Sequence, residues 1–192
     1  MHKYLYKQYY FIEKFDKNHL KKINKKINLI YRNYSKVHDE RTIKNLARFC
    51  SIENRKLFIA NDFKLALKMN INGVYLPSFN KSILHNCYKF KKNFKIIGSA
   101  HNLYEINIKL LQKASEIFIA PIFKDKNRSA IGIHKCKYLR ENKKFQSIAL
   151  GGVSERNFKL LKLTNFIGFA GIDLFKKKAP NIIRGLNFNT LN

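Results

Sequence analysis

Leu57-Phe58-Ile59-Ala60-Asn61-Asp62 is the stretch from which the fold can be read. Four apolar residues give way to two polar ones, and Asp62 stands where it can cap a helix starting near Phe63. A second apolar run, Gly73-Val74-Tyr75-Leu76, arrives after only one short helix. Apolar run, helix, apolar run is the unit from which parallel sheets are built.

The same alternation extends in both directions. Eight short runs rich in Ile, Phe, Tyr and Val can be counted: Tyr9 to Phe15, Ile27 to Arg32, Leu57 to Asn61, Gly73 to Leu76, Phe94 to Gly98, Ile117 to Ala120, Gln146 to Leu150 and Phe166 to Ala170. Amphipathic segments separate them. Between Arg41 and Phe49, for example, Ile43, Leu46 and Ala47 share one helical face. Asp39 and Ser154 sit where N-caps are expected. Eight strands with intervening helices close into a barrel, whereas open doubly wound sheets typically have five or six strands. No Gly-x-Gly-x-x-Gly follows the first run, which further disfavours the open sheet. The expected fold is α/β, a single-domain (β/α)8 TIM barrel of compact phosphate-binding type. It should occupy residues 1–192 as one unit, because no Pro/Gly/Ser-rich linker or low-complexity block divides them. With 192 residues for eight units, loops and helices must be brief.

Composition narrows the partners. The chain is 45% hydrophobic and 14% aromatic, which is globular rather than disordered composition. A formal charge of +27 first suggests a polyanion. The lysines, however, are spread along the whole chain among Asn, Ile, Phe and Tyr, the mixture expected from AT-rich codon usage. Nucleic acid is therefore not the expected partner, although the basic field would steer phosphorylated small molecules toward the protein. The lysine-rich segment from Lys21 to Lys26 reads as the solvated end of the first helix. No run of about 18 apolar residues exists, so a transmembrane helix is excluded. Met1-His2-Lys3-Tyr4 leads straight toward the first strand without a signal-like apolar core, and a cytoplasmic location is expected. Cys50, Cys87 and Cys136 are widely spaced and form no Cys-x-x-Cys pair, so neither a disulfide framework nor a zinc site is indicated.

A barrel of this kind carries its chemistry at the C-terminal ends of its strands. The polar residues found there are Arg32, Asn61-Asp62, Ser99-Ala100-His101-Asn102, Pro121 to Arg128, Gly151-Gly152 and Gly171-Ile172-Asp173. Gly151-Gly152, together with the turn at Gly171 and Ile172, offers backbone N–H groups to a phosphate. Arg32 follows apolar residues and should point into the barrel mouth, where a guanidinium binds phosphate in bidentate fashion. Asp62 is a candidate Mg²⁺ ligand as well as a helix cap. His101 opens a helix and could shuttle a proton, or the segment could simply cap that helix through Ser99 or Asn102.

The order of these motifs resembles the thiamine-phosphate synthase and TenI superfamily over nearly the whole chain. Ala60-Asn61-Asp62 is similar to its strand-three Asn-Asp motif, and Gly73-Val74-Tyr75-Leu76 to Gly-Val-His-Leu. Ser99-Ala100-His101 is similar to Ser-x-His, Ala120-Pro121-Ile122-Phe123 to Gly-Pro-Val-Phe, and Ala149-Leu150-Gly151-Gly152-Val153 to Ala-Ile-Gly-Gly-Ile. The resemblance implies a transferase of thiamine biosynthesis that joins hydroxymethylpyrimidine diphosphate to thiazole phosphate and releases pyrophosphate. Arg32, Asn61 and Asp62 would then hold the diphosphate and its Mg²⁺. Ser99 would lie beside the pyrimidine, and Arg128, Gly151, Gly152, Gly171 and Ile172 would serve phosphate groups. Two alternatives stay open: a TenI-like thiazole tautomerase using His101, and a barrel that binds a phosphorylated thiamine precursor without turnover. The expected partners are small phosphorylated pyrimidine and thiazole compounds, with no membrane required and oligomer formation allowed.

The chain also departs from the family pattern. Gln-x-Arg-x-Lys reads Ile30-Tyr31-Arg32-Asn33-Tyr34, and the second metal-binding Asp reads Asn80, which lowers the charge offered to Mg²⁺. Thr-x-Thr-Lys reads Asp125-Lys126-Asn127-Arg128, and the strand-eight Ser falls at Asp173. Lys81 or Lys126 is a candidate substitute for the missing lysine.

Overall fold

The computed structural model describes residues 7–34, 39–124, 129–140, 145–154 and 156–176. Eight parallel strands are present: β1 (Lys7–Ile12), β2 (Asn28–Tyr31), β3 (Leu57–Ala60), β4 (Gly73–Leu76), β5 (Lys95–Ala100), β6 (Glu116–Ile119), β7 (Gln146–Leu150) and β8 (Gly168–Gly171). They close in sequence order, with Tyr9 of β1 opposite Asn28 on one side and Ala170 on the other. The barrel read from the sequence is thus the barrel observed.

Helices α1 (Lys17–Lys22), α2 (Glu40–Ile52), α3 (Phe63–Lys68), α4 (Leu103–Leu111), α5 (Ile133–Arg140) and α6 (Asp173–Lys176) pack outside. Single 3-10 segments, Leu84–Cys87 and Phe158–Leu163, take the place of α-helices after β4 and β7. This economy is how so short a chain completes eight units. It also corrects the reading of Ser154 as an N-cap. Its amide donates to Asn157 Oδ1 (2.8 Å), and the 3-10 segment begins only at Phe158. Asp39 does cap α2, accepting from the amides of Arg41 and Thr42 at 3.0 and 3.1 Å. Ile43 and Leu46 on the inner face of α2 are fully buried, and each contributes about 1.5–3 kcal/mol by leaving water.

The period of two along each strand divides the core. Tyr9, Phe11, Ile30, Phe58, Tyr75 and Phe118 point inward and fill the barrel with edge-to-face ring contacts, such as Tyr9 on Phe118 at 5.0 Å and Phe11 on Tyr75 at 5.1 Å. Their sequence neighbours, including Tyr10, Leu29, Ile59 and Phe169, face the helices.

Several strands begin with charged residues. The buried carboxylate of Glu116 accepts from Lys7 Nζ (2.7 Å), Lys95 Nζ (3.3 Å) and the Tyr9 hydroxyl, closing the N-terminal mouth. Burial alone would raise the Glu116 pKa, but the Lys7 and Tyr9 hydrogen bonds and the charges of Lys7 and Lys95 together hold the carboxyl below its ordinary value. Among the described residues no helix is long and apolar enough to cross a membrane.

Candidate active site

A cavity of about 610 Å³ opens at the C-terminal mouth, a volume suited to small-molecule ligands. The inward register of the strands predicts what lines it. Two residues beyond the inward Ile30 comes Arg32, two beyond Ile97 comes Ser99, and two beyond Ala170 comes Ile172. All three line the cavity, with His101, Gly151, Gly152 and Gly171. Seven of the residues singled out from sequence are therefore brought together.

The Arg32 guanidinium carbon lies 4.8 Å from the Phe11 ring centroid and 5.5 Å from that of Tyr34. Among the described residues no carboxylate pairs with it. A guanidinium backed by aromatic rings and lacking an internal counter-ion is a ready receptor for an anionic oxygen. Ser99 lies within β5 rather than after it, and its Oγ accepts from the Tyr75 hydroxyl at 2.8 Å. Burial pushes the Tyr75 phenol up from its ordinary value, with Ser99 and Arg32 partly offsetting the shift. Tyr75 therefore remains a donor, leaving the Ser99 proton available to a ligand.

At the start of α4, Asn102 is the cap: its Oδ1 accepts from the Glu105 amide at 2.9 Å. Glu105 in turn reaches back. One of its carboxylate oxygens accepts from the His101 amide at 2.7 Å and lies 2.9 Å from His101 Nδ1. A proton on Nδ1 directed at Glu105 leaves Nε2 as the ring atom offered to the cavity. Glu105 was not among the residues picked from sequence, although its spacing of four from His101 on a helix was a usable signal.

The turn after β7 requires glycine twice. Gly151 and Gly152 have φ of 84° and 66°, and a Cβ on Gly152 would lie 2.5 Å from the Phe123 carbonyl oxygen. Only glycine fits where this turn packs against Pro121 and Phe123 of the loop after β6, and both glycines line the cavity.

Asn61 and Asp62 do not line the cavity wall. Asn61 follows β3 with φ of 61°, and its Oδ1 accepts from Asn80 Nδ2 at 2.8 Å. Asp62 caps α3 through Leu65 N at 2.8 Å, with a cap's expected geometry. Asn80 is held from below by Lys109, whose buried Nζ donates to the Asn80 carbonyl at 2.7 Å and to Gln112 Oε1 at 2.8 Å. Desolvation lowers the Lys109 pKa to about 8. Sequence reading missed Lys109 because only the tertiary fold brings its ammonium to the loop after β4. Lys81 does not line the cavity and stacks on Tyr104 at 5.2 Å. Arg128, Asp125, Lys126 and Asn127 lie outside the described residues, as does the side chain of Asp173. Among the described residues no group of three or more His, Cys, Asp or Glu side chains is arranged to hold a metal.

Fold and cavity together define a (β/α)8 barrel with a ligand-sized cavity at its C-terminal mouth. The pattern of the thiamine monophosphate synthase family matches residues 21–174, and the chain belongs to that family. It is 32% identical over 124 residues to a thiamine-phosphate synthase of Prochlorococcus marinus. That match covers 62% of this chain but 35% of the relative, so it spans about a third of the relative's length. Two solved structures share the fold. The thiamine phosphate pyrophosphorylase from Pyrococcus furiosus has a TM-score of 0.72 at 18% identity, over 97% of both chains. That from Bacteroides thetaiotaomicron has a TM-score of 0.62 at 17% identity, over 88% of this chain and 84% of its own.

Proposed function

We propose that the protein is a divergent thiamine-phosphate synthase, joining hydroxymethylpyrimidine diphosphate to thiazole phosphate. The observation that carries this reading is the convergence of an uncompensated Arg32, the Tyr75–Ser99 hydroxyl pair and the two glycine turns on one cavity in a member of this family. In the reaction the methylene C–O bond breaks, its electron pair leaves on pyrophosphate, and the thiazole nitrogen supplies the pair for the new C–N bond. Arg32 stabilises charge on the departing diphosphate, where a fixed cation is worth most. Ser99 donates to the pyrimidine ring and fixes its orientation. The backbone at Gly151, Gly152, Gly171 and Ile172 anchors the thiazole phosphate, holding its ring nitrogen beside the methylene.

Mg²⁺ is compatible with the donor set when the substrate supplies most of the ligands, since this ion commonly uses one or two carboxylates plus phosphate oxygens. Asp62 would hold it, and the ion would supply further neutralisation of the diphosphate. Asn80 presents an N–H₂ donor to Asn61, so affinity rests on Asp62 and the substrate rather than on a carboxylate pair.

The His101–Glu105 pair favours a second reading, a thiazole tautomerase in which Nε2 of His101 moves the proton. One set of assays separates the two. Purified protein with both substrates and Mg²⁺ should release pyrophosphate and form thiamine phosphate. Arg32→Ala should lower the rate by about 100-fold or more, as should Asp62→Asn, which keeps a helix cap but removes the charge. Absence of product, with tautomer conversion that disappears in His101→Ala and persists in Asp62→Asn, would replace the synthase reading by the tautomerase.

A further inference from the structure

Two aromatic side chains at the cavity rim, one of them the Tyr34 ring behind Arg32, stay largely exposed. Tyr34, just beyond β2, is 53% exposed, and Phe79, in the loop after β4, is 64% exposed. Both line the cavity. Their rings meet edge to face, with centroids 5.5 Å apart and planes at 68°, so they form an L-shaped apolar corner. Neither ring gains the burial that usually accounts for a large aromatic side chain, whereas Tyr75 on the same cavity wall is fully packed. The corner stands beside Arg32, whose guanidinium also contacts the Tyr34 ring.

We infer that Tyr34 and Phe79 are a ring clamp, a subsite that recognises the flat face of a heteroaromatic group whose phosphate charge is taken by Arg32. A planar ring laid on one face of the corner meets the edge of the other ring, the offset and edge-on arrangements that aromatic pairs prefer. Arg32 and Tyr34 share the loop after β2 and Phe79 reaches Tyr34 from the loop after β4, so a ligand carrying diphosphate one methylene away from a heteroaromatic ring can satisfy cation and rings at once. Stacking tolerates different ring identities, so the clamp selects for an aromatic ring rather than for one base. This assignment rests on the proposed synthase reading for its substrate, the pyrimidine diphosphate. The clamp itself is defined by chemistry, a flat ring joined to an anion.

Calorimetric binding of hydroxymethylpyrimidine diphosphate and of inorganic pyrophosphate tests it, since the second probe keeps the charge and lacks the ring. The wild-type protein should prefer the ring-bearing ligand. Phe79→Ala should weaken that ligand by about 5- to 100-fold, the range for loss of a stacking contact, with pyrophosphate affinity changed less than about 2-fold. Tyr34→Phe should retain binding and Tyr34→Ala should lose it. Because Tyr34 also backs Arg32, Phe79→Ala is the decisive variant. Equal affinity of wild-type protein for the two probes, or an equal loss of both in Phe79→Ala, overturns the clamp. A shift in oligomeric state on mutating Phe79 without change in ligand discrimination also overturns it, making the corner a contact between copies. Turnover assays keep the two claims apart: ring discrimination without product retains the clamp and removes the synthase reading, whereas product formation indifferent to Phe79→Ala does the reverse.

Discussion

Lys109 offers the most quantitative test of how the site is supported. Its side chain is fully buried and its ammonium donates to the Asn80 carbonyl and to Gln112, thereby holding the loop after β4. Desolvation lowers its pKa from 10.5 to about 8. Between those values the unfolded chain binds the proton that the folded chain releases. Stability from this residue therefore rises with pH across that window, opposite to the behaviour of a lysine gaining an ionic partner. At pH 7 about nine-tenths of the folded molecules carry the charge, and its burial costs about 3 kcal/mol relative to the unfolded chain. By about pH 9.5 that penalty falls to about 1.4 kcal/mol, so wild-type protein should gain about 2 kcal/mol relative to Lys109→Met. Methionine keeps the apolar stem and a similar volume while removing the titrating group. Urea denaturation of both proteins at intervals across this pH range measures the difference, in which all other titrating groups cancel. A difference that does not change with pH would refute the reasoning, because it would mean that the Lys109 ammonium is as well solvated folded as unfolded.

Three further outcomes follow from the same contacts. Glu116→Leu should destabilise the protein by about 3 kcal/mol, by leaving the Tyr9 hydroxyl buried without its acceptor and Lys7 and Lys95 without theirs. Because the folded-state pKa of Glu116 is depressed, the difference between wild type and this variant should shrink in chemical melts as pH falls below about 4.5. Glu105→Ala should cost about 1 kcal/mol in the same melts by uncapping the start of α4, and it should weaken any activity that depends on the orientation of His101. Gly152→Ala should cost roughly 2 kcal/mol, since the residue combines a positive φ with a carbonyl oxygen 2.5 Å from the added Cβ. It should also reduce affinity for thiazole phosphate, as followed by ligand-induced change in thermal midpoint.

Much of the barrel was legible because each strand's apolar run is short, bounded by polar residues and separated from the next by a helix-sized interval. The errors fall where a strand begins with a charge. Lys7 and Glu116 lie inside β1 and β6 but outside the apolar runs read there, because the buried Glu116 carboxylate is made tolerable only by Lys7 and Lys95 across the barrel floor. Arg32, Ser99, His101 and the glycines were legible because they continue the apolar runs into the mouth. Asp62 was correctly seen as a cap, whereas the metal role proposed for it depends on a ligand that sequence cannot position. Lys109 and Glu105 act through partners on other turns or loops, and sequence periodicity does not reveal which side chain of a helix is recruited to a site. Phe79 sits in a polar loop with no repeating pattern around it, so only the fold discloses that it meets Tyr34.

Two departures from the expected family pattern, at Tyr34 and Asn80, have a common direction. On the family resemblance read from the sequence, Tyr34 stands where a lysine is expected and Asn80 where a second acid is expected. Each places a neutral group with directional contacts where a formal charge is expected: Tyr34 by its ring on Phe79 and Arg32, Asn80 by side-chain hydrogen bonds to Asn61 and Gln112. On that reading a cation and an anion are absent together, so the local charge balance changes less than either position alone would suggest. Under the proposed function, ligand recognition rests on Arg32 as the single strong charge on the described wall, with an aromatic corner and hydroxyl donors around it. Binding at such a site should depend on salt less than the overall charge of +27 implies, because one half-buried guanidinium is screened weakly while the surface lysines are screened strongly.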